Sequence, residues 1–144
     1  MSVYNDIRNE IVTKLETATN LSKVYRYPVA DLEGYPAAVV RTADSEGRFH
    51  STTKDEVVFS YSIFVYYPLP KEEGSSDQER ENAELALGNA VSEIIFEIFK
   101  KRGELSNADW IAPVNSTFTE VTAGSRPYLS AEISLQAKVY VTNR

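Results

Sequence analysis

The chain contains no cysteine and a single histidine, His50. The first absence excludes disulfides, thiolate metal sites and thiol catalysis, and it favours a reducing compartment. The second leaves any histidine-dependent hydrolase with one residue to use. His50 sits in the polar run DSEGRFHSTTKDE with no apolar pocket in view, so a solvated loop histidine is the plainer reading. One histidine and no cysteine also argue against a soft or borderline metal, and no cofactor is expected. No stretch comes near the roughly 20 apolar residues of a membrane span, and the opening MSVYNDIRNE carries no apolar run of the signal-peptide kind. Glycine is sparse too. EEGSS offers one glycine where a phosphate-cradling loop needs several.

Basic charge is also short. The net charge is −6, and acidity concentrates between Glu72 and Glu84, where six carboxylates face Arg80 alone. Such a chain is poorly suited to clamping nucleic acid, whose phosphates need basic surface. Glu72 and Glu73 offer oxygen donors for a hard cation, but a charged loop leading into a helix start accounts for them more simply.

What is present is a strong alternation of pattern. The 144 residues suffice for one domain, taken as 1–144. Tyr4, Ile7, Ile11, Leu15 and Ala18 recur at three- and four-residue steps and predict a first helix. KVYRYP predicts a short strand and YPAAVVRTA a second. The polar stretch from Asp44 to Glu56 is either a long hairpin arm or a mobile loop. VVFSYSIFVYY predicts a strand about 36 Å long if fully extended. A second helix is predicted from Asp77 to Arg102, about 39 Å. Ser76 and Glu79 would form its capping box, Lys100, Lys101 and Arg102 would sit in its last turn, and Gly103 would end it. VNSTFTEVT and YLSAEISLQAKVYVT predict a final β-pair, the latter with the cleanest period-2 pattern in the chain.

The expected architecture is therefore α+β, in the order α-β-β-β-α-β-β. A mainly antiparallel, twisted sheet of about five strands would carry both helices on one face. The expected core is Ile7, Ile11, Leu15, Val39, Phe59, Tyr61, Ile63, Val65, Leu87, Val91, Ile94, Ile98, Leu129, Ile133, Leu135 and Val139.

One feature of the long strand sets the functional question. Val57, Phe59, Tyr61, Ile63, Val65 and Tyr67 form an apolar face, yet the opposite phase ends in Phe64 and Tyr66 instead of charges. A half-apolar second face, with no local element left to cover it, points to another subunit; a solvated sheet face with incidental aromatics is the competing account. Trp110, in NADWIAPVN, either covers the core or anchors an interface. The exposed arm around Arg48 and the acidic loop with Glu72 and Glu73 complete the candidate interface set of Arg48, Phe64, Tyr66, Glu72, Glu73 and Trp110. No spacing points to a carboxylate acid/base pair, and no enzyme activity is expected.

The element order, with YRYP closing one strand and YPAAVV forming the next, resembles the tail terminator (tail completion) proteins of long-tailed bacteriophages, the lambda type. The resemblance spans nearly the whole chain, and the residues that match, Tyr27-Pro28 and Tyr35 to Val40, are structural. It implies a virion protein assembled in the host cytoplasm as a homo-oligomeric, hexameric ring. That ring would sit on the head-proximal end of the tail tube protein, stop tube polymerisation, join a neck or head-completion protein and let DNA pass without specific binding. No membrane partner is implied. A head-closure or neck ring of the same particle is the nearest alternative, and a small ligand-binding α+β domain is the alternative from another class.

Overall fold

The computed structural model describes residues 3–25, 34–49, 54–69, 77–100, 105, 108–123 and 126–142; at 3–4, 42–49, 54–56, 77–79, 122–123, 126 and 141–142 it describes the backbone alone. The elements are α1 (Val3–Leu15), β1 (Lys23–Tyr25), β2 (Ala37–Phe49), β3 (Lys54–Pro68), α2 (Asp77–Glu93) continued by a π-helical segment (Ile94–Ile98), β4 (Trp110–Ala123) and β5 (Arg126–Thr142). The strands form one five-stranded sheet in the order β1-β2-β3-β5-β4. All pairs are antiparallel except β1–β2. The fold is thus α+β with the expected order of elements.

Alternation decides which side of the sheet meets the helices. Phe59, Tyr61, Ile63, Val65 and Tyr67 of β3 and Leu129, Ala131, Ile133, Leu135 and Ala137 of β5 share one face with Ala38 and Val40 of β2. Against that face lie Ile7, Ile11, Val12 and Leu15 of α1, Ala83, Leu87, Ala90, Val91 and Ile94 of α2, and Phe99. Val39 is a correction to the expected core. It is buried, but it pairs with Phe64 on the opposite face, because the run AAVV fits either phase and its neighbours Ala38 and Val40 pair with Val65 and Ile63. Phe59, Ile98 and Val139 lie at the margin of the core, only partly buried.

The second helix departs from expectation at its end. A continuous α-helix would carry the apolar stripe from Ile94 to Ile98, one turn on. Instead the amide of Phe99 bonds the carbonyl of Ile94 at 3.1 Å, a five-residue step. That step rotates Phe99 into the core, where it is 1% exposed, and leaves Phe96 69% exposed. Helical structure ends at Ile98 with Phe99 as its cap, so Lys100 lies beyond the last turn. Lys101, Arg102, Gly103 and Ser76 lie outside the described residues, and of Glu79 only the backbone is described.

The arm between β2 and β3 is a paired hairpin as far as Phe49↔Asp55, so the extended-arm alternative holds over the described residues. Register shifts occur between Thr42 and Ser45 in β2 and between Pro113 and Asn115 in β4. Glu93 ties the turn after α1 to the last turn of α2. Its Oε2 accepts from the amide and hydroxyl of Thr19 (2.8 and 3.1 Å) and its Oε1 from the amide and side-chain nitrogen of Asn20 (2.8 and 3.0 Å).

Candidate interface on the outer sheet face

With both helices on one side, the opposite phase of every strand faces outward, and the register arranges it in cross-strand rows. One row reads Lys23, Ala37, Tyr66, Ser130, Thr119; the next reads Tyr25, Val39, Phe64, Glu132, Thr117; a third reads Arg41, Ser62, Ser134, Asn115. Among the described residues no helix lies over this face.

Its floor is made of small buried residues, Ala37, Val39 and Ser130, with aromatic rings flanking them in the same rows. Phe64 and Tyr66 stack with centroids 6.2 Å apart and planes 12° apart. Tyr66 meets Tyr128 edge-on at 6.4 Å, and Tyr128 meets Tyr35 at 5.9 Å with their hydroxyls 3.2 Å apart. The Arg41 guanidinium lies 5.6 Å from the Phe64 ring, a cation–π contact. Ser62 donates to Glu132 at 3.0 Å. Burial pushes the Tyr66 phenol above its ordinary pKa; Arg41 opposes the rise and Glu132 adds to it. The hydroxyl therefore stays protonated at neutral pH and remains a donor.

Phe64 and Tyr66 are thus brought together, as the sequence suggested, but each is half-buried by its neighbours. Tyr35, Tyr128, Arg41 and Glu132 join them without having been singled out. The signal for Tyr128 and Glu132 was present, since both fall in the non-core phase of β5. Tyr35 depends on the turn before Pro36, whose peptide bond to Tyr35 is cis, and no spacing announces that.

Trp110 opens β4 on the same face, in a row with Lys138, Val58 and Glu46. Lys138 places its ammonium 4.5 Å from the indole centroid. That row is three steps from Phe64, about 20 Å along the strands, so Trp110 belongs to the face but not to the aromatic cluster. Arg48 pairs with Glu56 through the backbone of the arm. Glu72, Glu73 and His50 lie outside the described residues.

Two open clefts on the helix side are lined by described residues. One of about 240 Å³ is lined by Ile95, Phe96, Phe99, Lys100 and Pro113. Another of about 400 Å³ includes Glu93 and Glu97, and Glu93 is already engaged by Thr19 and Asn20. Among the described residues no group of histidine, aspartate or glutamate is placed to hold a metal ion, and no helix is long and apolar enough to cross a membrane. No protein-family model matches the chain, and no curated protein is significantly similar to it.

Proposed function

We propose that the chain is the subunit of a ring that caps the head-proximal end of a phage tail tube, ends its polymerisation and joins it to the neck. One observation carries this reading: the sheet presents an outer face on which four aromatic rings, an arginine and a glutamate are gathered, beyond the reach of the chain's own helices. An aromatic cluster with an arginine is the composition that concentrates binding energy at protein interfaces. The net charge of −6 supports the second half of the role, since an acidic ring repels the DNA that must slide through it. No catalysis is assigned to the protein in this role. DNA passes without specific binding, and the partners are further copies of the chain, the tail tube protein and a neck protein.

The test is assembly. Purified protein is added to tubes of its own tail, and the tube ends are imaged by electron microscopy, with native mass spectrometry of the free protein alongside. Ring density at one end of each tube, and tubes that cease to lengthen, are expected. Bare ends and continued growth at saturating protein would contradict the reading.

A further inference from the structure

The two sides of the molecule carry opposite charge. Among the described side chains the outer sheet face holds Lys23, Arg41 and Lys138 against Glu132 alone. Each cation stands over a ring of that face: Lys23 is 6.0 Å from the Tyr25 centroid, Arg41 5.6 Å from Phe64 and Lys138 4.5 Å from Trp110. Among the described residues none of the three is in an ion pair. In a chain of net charge −6, this face is suited to an acidic partner that brings apolar side chains to the rings.

Such a surface lies on the chain itself. The sequence of α2 holds five carboxylates against one cation, Arg80, and Arg80 is tied to Glu120 of β4. In α1, by contrast, Asp6 and Glu10 are balanced by Arg8 and Lys14. The core stripe of α2 runs through Ala83, Leu87, Ala90, Val91 and Ile94. About half a turn away, Glu81, Leu85, Asn89, Ser92 and Phe96 follow one another at three- and four-residue steps, so they form one line, and all five are exposed. Glu84, beside it, is exposed as well. Leu85 and Phe96 are 56% and 69% exposed, two large apolar side chains at the ends of an otherwise polar helix face. α2 packs over β3 and β5 on the helix side, so this line points away from the sheet.

We infer that the outer sheet face of one copy receives the solvent side of α2 of the next copy, cations against carboxylates and rings against Leu85 and Phe96. The inference rests on the assignment of the outer face to assembly and names the chain's own α2 as the partner there. The two surfaces are different and lie on opposite sides of the sheet, so the contact is heterologous. Each copy receives one neighbour and is received by another, and repetition closes a ring when the rotation per copy allows it. Two copies meeting face to face would set cation against cation, and two meeting helix to helix would set carboxylate against carboxylate; like charge disfavours both.

Charge reversal tests it in the full chain. One variant carries Lys23→Glu and Arg41→Glu on the face, the other Glu81→Lys and Glu84→Lys on the helix. All four positions are exposed, so both variants should keep the wild-type circular dichroism spectrum. In sedimentation over a wide concentration series wild type should self-associate, and each reversal alone should weaken association about tenfold or more, because like charges then meet. An equal mixture of the two should associate as tightly as wild type, in alternating order, since each variant's face is opposite in charge to the other's helix. Phe96→Ser, which leaves the charges alone, should also weaken association by about tenfold. A wild type that is monomeric at every concentration, or a mixture no tighter than either variant alone, would overturn the inference. So would a face reversal that abolishes tube capping and leaves self-association unchanged, which would assign the face to the tube protein and keep the tail reading. Rescue in the mixture by a protein whose wild type does not cap tubes would uphold the inference and contradict the tail reading.

Discussion

Glu93 shows how much a single polar residue can organise. Desolvation on its own would raise its pKa. The four donors from Thr19 and Asn20 outweigh it and hold the carboxyl below the usual range. The folded pKa therefore lies under the unfolded one, so the stabilisation is complete above the unfolded value and fades as pH falls through the folded one. Glu93→Ala should cost about 1 kcal/mol at neutral pH, since hydrogen bonds to a solvent-exposed carboxylate are screened. In urea titrations the gap between wild type and Glu93→Gln should narrow as pH drops below about 4. A gap independent of pH would mean that the latch does not depend on charge. Nothing in the local pattern around Glu93 advertised this contact, because its partners are more than 70 positions away in sequence.

The π-helical segment is where a correct element was read with a wrong end. The apolar stripe offers both Ile98 and Phe99, and the expected core took Ile98 alone, whereas the five-residue step at Ile94 turns Phe99 fully inward and leaves Ile98 at the margin. Phe99→Ala should cost about 3–5 kcal/mol, and Phe96→Ala should stay within about 0.5 kcal/mol. Thermal or urea unfolding of the two variants checks this, and comparable losses would mean that the stripe continues unshifted. Strands were more legible than helix ends. β3 and β5 announce themselves through long alternation, and their pairing over fifteen residues follows from two strands of matching length. The parallel partner β1 was not legible as such, because three residues carry no signal of direction. Val39 was misplaced because four small apolar residues in a row suit both faces. Phe64 and Tyr66 stood out because aromatics in a non-core phase are costly to leave in water, but their companions on β5 and in the turn before β2 depend on register.

At the scale of the molecule, one side of the sheet is consumed by the core and the other carries the aromatic cluster, so under the proposed function the fold divides stability from recognition. Removing rings from the outer face should cost little folding free energy and much assembly. The double variant Phe64→Ser, Tyr66→Ser keeps every residue of the helix-side core, and its circular dichroism should match wild type. The most direct measurement is the length distribution of tail tubes, by electron microscopy, when polymerisation proceeds with wild type or with this variant. Buried aromatic anchors carry about 2 kcal/mol or more each, so the variant should need well over tenfold more protein to halt growth. At wild-type concentrations its tubes should be overlong and uncapped. Tubes of normal length, capped at the same concentration as with wild type, would contradict the assignment of the outer face to assembly.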